Sequence, residues 1–124
     1  MCMDMRIVSA GAWAGALSGL PSTVLDRHPI QTSRAAGTLL GAPTLPRAAV
    51  AHTALSFGWA AVLAEVLPAR PRLWHGAVAG MAIAALDLGI VGRRFPRIRA
   101  LPLLPQVADH VAYGVLVAWA LRRP

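Results

Sequence analysis

The sequence predicts an all-α, polytopic membrane protein, a bundle of four transmembrane helices forming one domain over residues 1–124. Three observations predict it. The chain is 56% hydrophobic and only 14% charged, whereas about a quarter of the residues in a soluble domain are charged. Its apolar residues collect in four runs, three of them close to the ~20 residues that cross a hydrocarbon core of ~30 Å and the fourth shorter. All twelve basic residues are arginines, and most stand between those runs, as in membrane proteins whose loops carry the charge. A nucleic-acid binder of similar net charge would instead show a basic stripe interleaved with aromatics, so no nucleic-acid partner is expected.

The first run, Ile7 to Leu25, has a polar start and an apolar centre, as a signal peptide has. Asp4 in the leading segment and an apolar stretch that continues past any small-residue cleavage site favour a retained span. Pro21 lacks the N–H that would reach the Leu17 carbonyl and crowds that group. A kink is therefore expected there, with Ser18 or Ser22 satisfying the freed oxygen. The second run, Ala48 to Leu67, and the third, Leu73 to Gly92, are joined by a tight turn bracketed by Pro68 and Pro71, which predicts antiparallel neighbours. The fourth, Val107 to Leu121, is the shortest, and Pro105 suits its first turn.

The connections 26–47 and 93–106 are long and rich in Arg and Pro. Within the first, "QTSRAAGTLLGA" has helical composition but only about a dozen residues, too few to cross. It predicts a short helix lying in the membrane interface. The long connections hold Arg27, Arg34, Arg47, Arg93, Arg94, Arg97 and Arg99; the opposite side holds Arg6, Arg70, Arg72, Arg122 and Arg123. That bias points the long loops toward the cytoplasm. Trp13, Trp74 and Trp119 fall toward the terminal side, as an aromatic belt would, while Trp59 is expected between helices. Cys2 is the single cysteine, so no intrachain disulfide is expected.

Helices in lipid associate through close backbone approach, which favours small residues four apart. Gly11, Gly15 and Gly19 form such a row in the first run, and Gly76, Gly80 and Ala84 form another in the third. Ala54 with Gly58 and Gly114 with Ala118 extend the pattern. It predicts a compact bundle able to form homo-oligomers or join a larger membrane complex.

Ionisable groups inside a membrane are rare and face the bundle interior or water. With the helices alternating in direction, His52, Asp87, Asp109 and His110 all fall toward the long-loop side. Asp87 would lie about 7 to 9 Å below that boundary at 1.5 Å per residue, on the same stripe as Gly80 and Gly76. These four are the candidate polar pocket, with Asp26, Ser22 and Tyr113 as secondary members. "LPRAAVAHTALSFG" and "LPQVADHVAYG" also echo one another, which would make His52 and His110 pseudo-equivalent.

Several chemistries fit that set. The acids can pair with Arg47, Arg93 or Arg94 and hold the loops to the helices. An Asp and a His can relay protons. Two histidines with carboxylates can also bind a divalent metal or ligate haem, although no metal or cofactor is expected. No hydrolase elbow, phosphate loop or zinc-protease motif is present, so no catalytic residue is named and the chain is not expected to be an enzyme.

The segments "SGLPST", "RAAGTLL", "AIAALDLG" and "GRRFPRIRALPLLPQVADH" resemble a group of small four-span integral membrane proteins of actinobacterial type, over most of the chain. The resemblance implies residence in the cell membrane as a multi-pass protein and brings no catalytic residues. The leading expectation is an accessory or scaffolding component whose Arg47, Arg93, Arg94, Arg97 and Arg99 meet anionic lipid headgroups. The alternative is proton-coupled or small-solute transport through the Asp/His pocket.

Overall fold

The computed structural model describes residues 4–122. Cys2 and Arg123, to which the disulfide and charge-bias expectations refer, lie outside the described residues. All regular structure among the described residues is helical. The helices are α1 (Met5–Leu17), α2 (Leu20–Leu25), α3 (Pro29–Ala35), α4 (Leu45–Val66), α5 (Leu73–Gly89), α6 (Pro96–Arg99) and α7 (Leu103–Leu121), with 3-10 turns over Ala36–Leu40 and Val91–Arg94.

The ends of these helices follow from local chemistry. Asp4 caps α1 by accepting the Arg6 N–H at 2.9 Å, and Thr44 caps α4 by accepting the Arg47 N–H. Pro21, Pro29, Pro46 and Pro96 stand in the first two positions of α2, α3, α4 and α6, where a missing N–H breaks no helical bond. Pro105 lies in the first turn of α7, which starts at Leu103, four residues before the expected boundary. The Arg72 N–H donates to His75 Nδ1 at 2.8 Å and ties the start of α5 to its own first turn.

The first apolar run is two helices, broken at Ser18 and Gly19. Pro21 leaves the Leu17 carbonyl without its helical donor, so the chain restarts with Pro21 in a first turn rather than bending through it. The hydroxyls attend a different carbonyl from the expected one. Gly19 O accepts from Ser22 Oγ at 3.1 Å and from Thr23 Oγ1 at 2.8 Å.

Two helical stretches are long and apolar enough to cross a membrane, Leu45–Val66 and Leu73–Arg94, each of 22 residues. Only 22% and 28% of their most apolar windows are buried within the protein, whereas the core helix of a soluble domain is mostly enclosed. Val50, Val62, Val66, Val78, Met81 and Ile90 are exposed along them. By contrast α1 has 13 residues, and α7 carries Gln106, Asp109 and His110 in its first half.

α7 is the central helix, packed on α5, α1 and α2 and touching α4, while α1 lies between α7 and α4. The helices joined by the tight turn, α4 and α5, are therefore flanking helices rather than close neighbours. Glycine decides this. A Cβ on Gly76 would come within 2.2 Å of the Gly114 carbonyl, and one on Gly80 within 2.2 Å of the His110 carbonyl, so α5 and α7 meet backbone to backbone and run antiparallel. Gly11 lies against Phe57 and Gly15 against Ser56, which seats α1 on α4. Ala10, Ala14, Ala60, Leu63, Ile83, Tyr113 and Val117 fill the core among them.

Two glycines of the expected packing rows do not pack. Gly19 and Gly58 have nothing within 4 Å of a built Cβ, Gly19 because it is the junction between α1 and α2. Trp119 packs on the core instead of joining Trp13 and Trp74 at the surface.

Candidate functional site

Because α4 and α5 stand on opposite flanks, a cavity of about 310 Å³ remains between them. α7 and the α1–α2 break form its floor, through Gln106, Asp109, His110, Tyr113, Ser18 and Gly19. α4 contributes His52, Leu55, Ser56 and Trp59, and α5 contributes Ile83, Asp87 and Leu88. The long loops cover it with Thr32, Ala36, Leu39, Ile98 and Leu101. The "QTSRAAGTLLGA" segment is thus a roof, held on the start of α4 at Gly37, where a Cβ would meet the Ala42 and Thr44 carbonyls at 2.6 and 2.7 Å.

All four candidate pocket residues, His52, Asp87, Asp109 and His110, line this cavity, as does Tyr113. Each arrives by a nameable constraint. His110 Nδ1 lies 2.6 Å from the Gln106 carbonyl, one helical turn back, and its Nε2 lies 3.2 Å from Asp87 Oδ2. A carbonyl oxygen only accepts, so Nδ1 carries a proton and donates. The contact to Asp87 then requires a second proton, held as imidazolium facing carboxylate or as neutral imidazole facing a carboxylic acid. Removing it would leave two lone pairs facing each other, so the pair clamps one proton. The side chains of His110 and Asp87 keep 19% and 24% of their exposure, so neither is fully enclosed.

Asp109 does structural work as well. Its Oδ1 accepts the Ser22 N–H at 2.8 Å, supplying an acceptor to the first turn of α2 and pinning the helix break to α7. His52 Nε2 lies 2.7 Å from the Gly15 carbonyl, to which it donates, so α4 grips α1 beside that break. Tyr113 OH donates to the Ser56 carbonyl and joins α7 to α4. Burial in this apolar floor makes the phenol a neutral donor.

Asp26 lies outside the cavity. It accepts the His28 N–H at 2.9 Å and the Thr32 hydroxyl, which fixes the roof residue Thr32. The Thr32 hydroxyl, first, and the His28 N–H hold the Asp26 carboxyl below its ordinary value of 3.8.

The expected arginine pairs are not made. Among the described residues the single ion pair is His110 with Asp87. Arg47 donates instead to the Leu40 carbonyl at 2.9 Å, and Arg93, Arg94, Arg97 and Arg99 are all exposed. The physical reason is position. Asp87 is on the α7-facing side of α5, where His110 is the adjacent partner, whereas Arg93, Arg94, Arg97 and Arg99 follow in the 3-10 turn and α6 and are exposed. Among the described residues no three His, Cys, Asp or Glu side chains converge on one point suited to a metal ion.

Two participants were not expected from the sequence. Gln106 acts through its backbone carbonyl, legible only as the residue four before His110. Trp59 packs against the core, as expected, and also lines the cavity; its indole N–H is buried and, among the described residues, has no acceptor.

These features define a class, an all-helical protein with two apolar flanking helices and an ionisable cavity between them. No family model, curated protein or solved structure matches the chain.

Proposed function

We propose that this chain is a four-span, multi-pass protein of the cell membrane, akin to the small actinobacterial-type group it resembles, that binds a small solute in its cavity and exchanges a proton with it. On this reading α1 and α2 together make the first crossing and α7 makes the fourth. α7 can afford Gln106, Asp109 and His110 because its neighbours are helices rather than lipid. No covalent reaction is catalysed and no cofactor takes part.

The observation that carries the reading is the cavity itself. Two acids and two histidines line one space, and among the described residues no guanidinium pairs with either acid. Had arginines consumed the acids, the cluster would serve only to fasten loops. The His110–Asp87 pair instead holds a mobile proton beside room for a solute.

The test uses the purified chain in liposomes loaded with a pH-sensitive dye. With an imposed pH gradient, wild type should carry protons faster than empty liposomes, and Asp87→Asn and His110→Gln should each lose that excess. Equal rates for wild type, both variants and empty liposomes would overturn the proposal.

A scaffolding role is the second reading, favoured by the row of exposed Arg93, Arg94, Arg97 and Arg99 on one loop surface. That surface suits anionic headgroups at about 1 kcal/mol per arginine near the membrane, or the acidic face of a partner in a homo-oligomer or larger complex. Under it, Asp87→Asn would leave assembly unchanged and arginine replacement would not.

A further inference from the structure

We propose that the flank of α5 and α7 binds one anionic phospholipid, its phosphate held by the arginines that follow α5 and an acyl chain lying in an apolar groove between the two helices. This rests on the membrane reading above and is independent of the proton and solute chemistry of the cavity.

The groove comes first. Met81, Ala84, Ala85 and Leu88 of α5 and Leu103 and Val107 of α7 line a space of about 340 Å³. All of these side chains are apolar, so the groove has nothing to offer a polar ligand. Met81 and Ala85 are each two residues before the cavity residues Ile83 and Asp87, about 200° around the helix at 3.6 residues per turn. The groove therefore opens on a different face of α5 from the ionisable cavity. Met81 and Leu103 are 58% and 67% exposed, so the protein leaves it uncovered. From Met81 to Leu88 it runs about 10 Å along α5 at 1.5 Å per residue, which suits a stretch of one acyl chain.

Charge is the second observation, and it does not depend on the groove. Between Asp87 and Asp109 the chain carries Arg93, Arg94, Arg97 and Arg99 and no acid. The two bounding acids line the cavity, Asp87 against His110 and Asp109 against the Ser22 N–H. All four arginines are exposed, and among the described residues none is in an ion pair. A guanidinium fits phosphate oxygens as a planar, bidentate donor.

Connectivity brings the two features together. Gly89 lines the loop end of the groove, and Arg93 follows four residues later in a 3-10 turn, about 8 Å on at 2.0 Å per residue. Arg99 stands four residues before Leu103 on the other wall. Gly92 ties the turn back onto α5, since a Cβ there would meet the Asp87 carbonyl at 3.1 Å and Ile98 at 3.3 Å. The basic cluster is thus anchored at the loop end of the groove, where a lipid with its tail toward the bilayer centre places its headgroup. A basic site between spanning helices recognises anionic headgroups, and the adjoining apolar groove selects a lipid over a free phosphate.

The test uses the full chain in neutral detergent micelles doped with equal amounts of phosphatidylglycerol and phosphatidylcholine of the same acyl chains, with retained lipid counted by native mass spectrometry. Wild type should retain one phosphatidylglycerol in preference to phosphatidylcholine by about tenfold, the factor that 1.4 kcal/mol supplies. Converting Arg93, Arg94, Arg97 and Arg99 together to glutamine should remove that preference. Ala85→Phe places a ring in the groove from an exposed position and should lower retention of both lipids with every arginine intact. Leu86→Phe adds bulk at an exposed neighbour outside the groove and should leave retention unchanged. If circular dichroism shows Ala85→Phe unfolded, Ala85→Leu repeats the measurement with less bulk.

Equal retention of the two lipids by wild type overturns the proposal, and so does a preference that survives loss of the four arginines. Retention unaffected by filling the groove at Ala85, or abolished by an excess of glycerophosphoglycerol, the same headgroup without chains, overturns the role of the groove. Flotation with liposomes after an alkaline wash separates this site from the reading it rests on. A chain left in the aqueous phase overturns the four-span reading and the site with it, whereas a chain that floats and shows no lipid preference overturns the site alone.

Discussion

Replacing Gly80 with alanine tests whether the backbone contact between α5 and α7 positions the His110–Asp87 pair. The new Cβ would stand 2.2 Å from the His110 carbonyl and 2.8 Å from Val111 Cα, against an ordinary contact distance starting at 3.4 Å. Relief requires α5 and α7 to separate by about 1.2 Å, the difference between 3.4 and 2.2 Å, because both obstacles are backbone and neither can rotate away. Overpacking of this kind costs about 1–3 kcal/mol. It is offset in part by the helix preference of alanine, worth about 0.5–1 kcal/mol. Gly58→Ala is the internal control, since its Cβ meets nothing within 4 Å and it collects the same propensity gain without the clash. Thermal unfolding in detergent, followed by circular dichroism, should therefore rank Gly80→Ala below Gly58→Ala by about 1–3 kcal/mol. The ring nitrogen signals of His110 should move with it, because the Nε2 to Asp87 contact of 3.2 Å is already at the long end of the hydrogen-bond range. If Gly80→Ala were as stable as Gly58→Ala with unchanged His110 signals, the close approach of these helices would be refuted.

Three further outcomes are expected. Tyr113→Phe removes the bond to the Ser56 carbonyl and should cost about 0.5–1.5 kcal/mol in the same unfolding assay, loosening α4 from α7. Converting Arg93, Arg94, Arg97 and Arg99 together to glutamine should change stability by no more than about 0.5 kcal/mol, because among the described residues none pairs with a carboxylate; a larger loss would restore the ion-pair explanation of the acids. The Asp26 carboxyl, held below 3.8 chiefly by Thr32, contributes stability that is present above pH 3.8 and is lost as pH falls through its lowered folded value. A carbon NMR titration should find that value rising toward 3.8 in Thr32→Val, and no change would contradict the Thr32 bond.

Much of the architecture was legible because apolar run length and the spacing of small residues follow simple rules. Run length located α4 and the stretch from Leu73, and the rows Gly11–Gly15 and Gly76–Gly80 pointed to the faces that pack. The polar cluster was legible for a related reason: with alternating helix directions, His52, Asp87, Asp109 and His110 had to fall toward one end. What the sequence concealed was lateral order. A short turn between α4 and α5 suggests contact, but glycine pairs between α5 and α7 and between α1 and α4 bring other partners closer, and nothing in one sequence ranks those pairings. Gly19 shows the same limit locally. Its spacing matches Gly11 and Gly15, yet Pro21 ends the helix before that spacing has meaning.

That lateral order decides the chemistry. Had α5 packed on α4, Asp87 could have turned toward Arg47 near the start of α4, and such an arginine pair would have been a fixed ionic clasp. With α7 between α1 and α5, the group that Asp87 meets is His110, held by the Gln106 carbonyl with a proton already on Nδ1. An arginine remains charged at any accessible pH, so a carboxylate beside it has no proton to give. A histidine in the same place can accept and release one. The displacement of α5 from α4 also opens the space in which such a proton could be exchanged for a ligand. The pocket and the His110–Asp87 pair therefore arise from one packing choice, the backbone contact at Gly76, Gly80 and Gly114. A substitution that restored contact between α4 and α5 should close the cavity and remove His110 from Asp87 together, rather than one without the other.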